Sequence, residues 1–97
     1  MHTLSSLRAN YKDQIMAISS SMGLKSIRVF GSIARGEGRE DSDIDFLVET
    51  SPGVTYFTLA KFQRLLESLL GCRVDVITDS GLSKLLKPKV ELEAVYL

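Results

Sequence analysis

Apolar residues along this chain recur at two different spacings, one typical of helices and the other of strands. The first stretch repeats an apolar residue every three or four positions, at Leu7, Tyr11, Ile15, Ile18 and Met22. This spacing predicts an amphipathic helix with one face toward the core. Ser5 or Ser6 is the expected N-cap of that helix, and Gly23 suits its C-terminal end.

A second amphipathic helix is predicted over residues 55–70, ending at Gly71. Its apolar stripe consists of Leu59, Phe62, Leu66 and Leu69. Shorter apolar segments at residues 26–30, 43–49 and 73–78 predict three strands. The tail, residues 82–97, is expected to be helical with a break near Pro88. Strands that alternate with helices predict an α/β (α+β) fold, a small sheet with helices mainly on one face.

Composition is ordinary for one globular domain, which we expect to span residues 1–97. Hydrophobic residues make up 44% of the chain and charged residues 25%, and the formal net charge is zero. Without a basic excess, nucleic acid is not expected to be the main partner. The single cysteine, Cys72, fits a reducing compartment, and no apolar run is long enough to cross a membrane. The cytoplasm is therefore the expected location.

Candidate chemistry is concentrated in acidic residues on two of the predicted strands. Asp43 and Asp45 are two apart on one strand, so both side chains point to the same face. Asp75 lies between apolar residues on the strand at 73–78. Neighbouring carboxylates repel each other unless cations lie between them, and their hard oxygens suit Mg²⁺. Two such ions would stabilise the attacking and leaving oxygens of an in-line displacement.

A small-residue turn follows the first predicted strand, at Gly31 and Ser32. Exposed N–H groups at such a turn bind phosphate oxygens, and glycine lets the backbone approach the ligand closely. Arg35 is one turn further along and has two interpretations, a bidentate phosphate contact or an ion pair with Glu37 or Asp41. Arg28, Arg39 and Arg73 are expected to be surface charges. The turn is not a P-loop, because the required Lys-Ser/Thr pair is absent.

These features together form the motif Gly31-Ser32-x-x-Arg35-Gly36, followed by Ser42-Asp43-x-Asp45 and later by Asp75. The motif resembles the DNA polymerase β-type nucleotidyltransferase superfamily, and the short chain resembles its minimal nucleotidyltransferases. The resemblance implies a mixed sheet and a turn, Gly31-Ser32, that holds the triphosphate of a nucleotide, and Arg35 and Ser42 are further candidates for nucleotide binding. It also implies that Asp43 and Asp45 bind two Mg²⁺ ions, and that Asp75 completes one metal site and activates the acceptor hydroxyl. Ser42 has an alternative role as a turn residue that orders Asp43.

The resemblance further implies an enzyme that transfers AMP from ATP to a hydroxyl and releases pyrophosphate. Some minimal nucleotidyltransferases act as antitoxins by transferring AMP to a tyrosine of a partner HEPN toxin, and the resemblance implies this role here. Two other functions stay open. One is a non-catalytic nucleotide-binding module that neutralises its partner by contact, and the other is a small-molecule nucleotidyltransferase acting as a homo-oligomer.

Overall fold

A mixed sheet of four strands forms the centre of the fold, in a computed structural model that describes residues 2–37 and 43–97. The elements in chain order are α1 (Leu4–Asn10), α2 (Lys12–Ser21), β1 (Leu24–Phe30), β2 (Ile44–Thr50), α3 (Tyr56–Leu70), β3 (Val74–Thr78), a 3-10 helix (Asp79–Gly81), α4 (Lys87–Glu93) and β4 (Val95–Tyr96). The strand order is β3-β2-β1-β4. Strands β2 and β3 are parallel, while β1 is antiparallel to both β2 and β4. The predicted mixed sheet is confirmed.

The N-terminal helical stretch differs from its prediction, because two helices replace the single one expected. The chain breaks at Tyr11, whose backbone has φ −126° and ψ −10°. Capping by Ser5 or Ser6 was also wrong, since the N-cap is Thr3. The Thr3 side chain accepts the Ser6 N–H at 3.0 Å, and the Ser6 hydroxyl accepts the Thr3 N–H at 2.8 Å. This reciprocal capping box satisfies two donors that the helix start leaves free.

Helix α3 confirms its prediction closely, with both ends defined by local chemistry. Thr55 is the N-cap, and Gly71 adopts the left-handed conformation at φ 70°. The Gly71 N–H donates to the Glu67 carbonyl at 2.8 Å, which closes the last turn. Phe62 and Leu66 are fully buried on its inner face.

No helix in the described part of the chain is both long enough and apolar enough to cross a membrane.

The hydrophobic core lies on one face of the sheet, under the first three helices. Strand β2 contributes Ile44, Phe46 and Val48, all at most 1% exposed. Alternation along β2 therefore turns Asp45 to the opposite face, as the sequence predicted. Leu47 is on that opposite face and is also fully buried, so part of the second face is covered as well.

The C-terminal tail differs most from its prediction. Pro88 does not break a helix but lies in the first turn of α4, where its missing N–H costs nothing. The helix ends at Glu93, and the chain then extends into β4, which pairs Tyr96 with Arg28 of β1. Leu97 is buried in the core. Strand β4 thus pairs with Arg28 and Val29 and covers part of the outer edge of β1.

Candidate active site

Sheet register brings two of the predicted acids together. Asp45 of β2 lies opposite Asp75 of the parallel strand β3, and on its other side opposite Phe30 of β1. Residues that pair across neighbouring strands project to the same face, so the two carboxyl groups meet there. Gly31 directly follows Phe30, so the small-residue turn begins beside this pair.

The Asp45 carboxylate lies where a side chain at residue 31 would begin. Gly31 has φ +75°, a conformation that L side chains rarely adopt. A Cβ added there would lie less than 3.0 Å from the Asp45 carboxylate oxygen Oδ2. Glycine therefore suits this position for its backbone conformation, and a larger residue would also require the Asp45 carboxylate to move away from the turn.

Burial and a neighbouring carboxylate raise the pKa of Asp45 to about 6. Burial has the largest effect, because a less polar surrounding disfavours the charged form. Asp75 adds like-charge repulsion and a hydrogen-bonding contact with Asp45, and Asp43 and Glu93 add smaller repulsions. The site therefore carries an excess of negative charge that a bound cation would relieve.

Asp43 is half-buried just before β2, on the side nearer the start of β3. Its Oδ1 is 3.8 Å from Nε of Arg73, which is a weak and largely exposed ion pair. Among the residues that the structure describes, no three His, Cys, Asp or Glu side chains are gathered in a ready metal site. The donors that are present, paired carboxylate oxygens at Asp45 and Asp75 with Asp43 close by, are nevertheless of the type that Mg²⁺ prefers.

The turn after β1 is closed by backbone hydrogen bonds and carries Arg35 on its exposed side. The Arg35 N–H donates to the Gly31 carbonyl at 3.2 Å, and the Glu37 N–H donates to the Ser32 carbonyl at 2.8 Å. Ser32 is half-buried within the turn. Arg35 Nε also pairs with Glu37 Oε2 at 3.0 Å, so that predicted ion pair is confirmed. The predicted contribution of Ser42 to nucleotide binding lies outside the described residues.

Glu93, at the end of α4, is a site residue that the sequence did not reveal. Its Oε2 accepts the Gly31 N–H at 3.1 Å, and its Oε1 pairs with Arg35. The hydrogen bond from Arg35 is the largest influence on Glu93 and lowers the pKa of its carboxyl. Nothing in the local pattern of the tail marks this residue, because the contact joins positions 62 apart in the chain.

Arg28 corrects another expectation, because it is not an ordinary surface charge. Only 17% of its side chain is exposed, and its guanidinium lies 3.5 Å from Asp79 and 5.6 Å from the centre of the Tyr96 ring. Its register partner on β2 is Leu47, so it occupies the same face of the sheet as Asp45. This arginine attaches the tail to the face that carries the acids.

Residues 12–97, almost the whole chain, match the family model described as the nucleotidyltransferase domain. The chain belongs to this family. It is therefore an enzyme, and the predicted reaction class, nucleotidyl transfer, is confirmed.

Curated relatives agree with the family match. A protein adenylyltransferase of Methanocaldococcus jannaschii is 42% identical over 84 residues, covering 87% of this chain and 90% of the relative. The protein adenylyltransferase MntA of Thermococcus cleftensis is 40% identical over 75 residues, covering 77% of this chain and 76% of the relative. The similarity therefore extends over most of both relatives.

Solved structures support the fold. One described as a minimal nucleotidyltransferase is 42% identical, with a TM-score of 0.87 over 99% of this chain and 97% of that one. A second contains a tri-AMPylated Shewanella oneidensis HEPN toxin in complex with an MNT antitoxin. It is 21% identical, with a TM-score of 0.66 over 87% of this chain and 66% of that one. At that identity the second likeness shows the fold alone.

Proposed function

We propose that this nucleotidyltransferase transfers AMP from ATP to a tyrosine hydroxyl of a HEPN-type toxin, and so acts as its antitoxin. The observation that carries the proposal is the register pairing of Asp45 with Asp75 beside the Gly31 turn. Curated relatives at 40% and 42% identity are described as protein adenylyltransferases, which supports a protein acceptor. The fold likeness to an MNT antitoxin in complex with an AMPylated HEPN toxin supports the partner class.

Nucleotide binding is proposed to use the turn together with the acids. Backbone N–H groups at Gly31 and Ser32 would hold the β- and γ-phosphates. Arg35 would donate further hydrogen bonds to the phosphates, and Ser42 is the predicted additional contact. Asp43, Asp45 and Asp75 would hold Mg²⁺, two ions in the family pattern, through oxygen ligands of the type this metal prefers. Bound Mg²⁺ would supply positive charge against the phosphate oxygens.

The proposed reaction is an in-line displacement at the α-phosphorus of ATP, carried out by one catalytic domain on an acceptor that the partner presents. Asp75 takes the proton of the acceptor hydroxyl, and the hydroxyl oxygen forms the new bond to phosphorus. The bond between the α-phosphorus and the bridging oxygen breaks, and pyrophosphate leaves with that electron pair. Alignment of the two reactants and a preorganised charged site supply most of the acceleration.

Substitution of the paired acids tests the proposal directly. We expect Asp45→Asn and Asp75→Asn each to reduce label transfer from α-³²P-ATP to the HEPN-type partner by at least about 100-fold. Asp13→Asn, which removes the same charge from an exposed position on α2, should retain the wild-type rate within about twofold. Removal of divalent cations with EDTA should stop transfer by the wild type, and added Mg²⁺ should restore it.

Two results would contradict this function. Near-normal transfer by either acid variant would show that catalysis does not require the carboxylate that this variant lacks. A tight complex that neutralises the partner without any label would indicate a contact-only module, and a triple Asp→Asn variant at residues 43, 45 and 75 that still neutralised would support that interpretation.

A further inference from the structure

Two of the groups that the proposed function assigns to the triphosphate, the Gly31 N–H and the Arg35 guanidinium, are already bound to a carboxylate of the same chain. Glu93 Oε2 accepts the Gly31 N–H at 3.1 Å, and Glu93 Oε1 pairs with the Arg35 guanidinium. A carboxylate and a phosphate present the same kind of oxyanion to such donors. While Glu93 holds both of them, neither donor is available to a phosphate oxygen in the same geometry.

Charge makes simultaneous binding unfavourable. The hydrogen bond from Arg35 lowers the pKa of Glu93, so this carboxyl is ionised at neutral pH. Glu93 is also close enough to the acids to contribute to the raised pKa of Asp45. A triphosphate that reached Gly31 with Glu93 still in place would meet a further negative charge.

The helix that carries Glu93 is weakly packed against the rest of the fold, and the chain is next held in the core at Leu97. Helix α4 has seven residues, and none of them is buried. A helix this short has little intrinsic stability in water. Strand β4, which follows, has only two residues. Displacement of α4 should therefore cost less than opening the sheet or α3.

We propose that Glu93 is an internal substitute for phosphate, which occupies the Gly31 N–H and Arg35 in the nucleotide-free protein and is displaced when a triphosphate binds. Helix α4 then acts as a gate over the nucleotide site, and its release accompanies nucleotide binding. This inference rests on the proposed function, because it requires nucleotide to bind at the Gly31 turn.

The substitution Glu93→Gln tests the gate, since it keeps the shape of the side chain and removes its charge. Binding of a non-hydrolysable ATP analogue with Mg²⁺ to the full chain can be measured by isothermal titration calorimetry. We expect Glu93→Gln to lower the dissociation constant by roughly fivefold or more, within the usual range of coupling between competing contacts. Glu91→Gln, which removes the same charge from an exposed position of α4, should stay within about twofold of wild type.

Hydrogen exchange provides a second measurement that affinity alone does not give. In the wild type, the analogue should speed amide exchange in α4, and Glu93→Gln should show faster exchange there before any ligand is added. Equal binding by Glu93→Gln would overturn the gate. Weaker binding would overturn it too, and would indicate that Glu93 instead positions Arg35 for phosphate. Slower exchange in α4 on binding would overturn it as well.

The two proposals fail in different ways. If the wild type binds no nucleotide, the proposed function and the gate fall together. If the wild type binds and transfers nucleotide while Glu93→Gln gains no affinity, the gate alone falls.

Discussion

The two faces of the central sheet differ in what their side chains do for the protein. On β2, Phe46 faces the core and is fully buried, while the preceding residue, Asp45, faces the acid site with its pKa raised to about 6. Burying an apolar side chain stabilises the fold by about 1.5–3 kcal/mol. Bringing carboxylates together against Gly31 opposes folding. A single strand therefore carries both stability and chemistry, and alternation keeps the two separate.

Loss of a core-face side chain should give the largest change in stability. Phe62 is fully buried on α3, and Phe57 of the same helix is 87% exposed. We expect Phe62→Ala to lower the free energy of unfolding by about 3–5 kcal/mol, because it leaves a cavity in the core. Phe57→Ala should change it by about 0.5 kcal/mol or less. Urea denaturation of both variants makes the measurement, and similar losses would mean that the core is not where the structure has it.

A smaller effect is expected where the turn meets the acid pair. Gly31 and Gly36 both have φ +75°, so alanine is strained equally at either position. A Cβ at Gly31 collides with Asp45, whereas at Gly36 no described atom lies within 4 Å. We expect Gly31→Ala to destabilise the fold by about 1–3 kcal/mol more than Gly36→Ala.

Because both variants introduce the same backbone strain, that strain cancels when their stabilities are compared. Equal losses of stability for the two variants, measured by thermal or urea unfolding, would contradict the close approach of Asp45 to the turn.

The smallest expected effect is the pH dependence of stability. It arises because the charged Asp45 on the site face destabilises the fold, whereas the side chains on the core face stabilise it. Because the pKa of Asp45 in the folded protein is raised from 3.8 to about 6, the folded state binds its proton more tightly than the unfolded state. Stability should therefore rise as pH falls from 7 to 5. Asp45 is only half-buried, so solvent screening limits the gain to about 1 kcal/mol.

Asp45→Asn provides the control, since it has no carboxyl to titrate at that position. The difference in unfolding free energy between wild type and Asp45→Asn should shrink as pH falls from 7 to 5. If the unfolding free energies of the two proteins changed with pH in parallel, repulsion at Asp45 would not destabilise the folded protein.

Much of the fold could be predicted because local chemistry determines it. Helix α3 has an apolar stripe and a terminal glycine, and both signals agree with its structure. The break at Tyr11 could not be predicted, because the apolar spacing continues across it and both helices bury residues on the same side. The tail was misread because a two-residue strand has no periodicity of its own.

The sequence by itself determined which face of β2 each side chain takes, because alternation is a property of the strand. It also determined the Gly-Ser turn, whose glycine must adopt a positive φ. Only the tertiary structure decided that Asp45 pairs with Asp75 and that Glu93 reaches Gly31. Both contacts join residues far apart in the chain, so strand register and the path of the tail create them, and neither leaves a local pattern to be read.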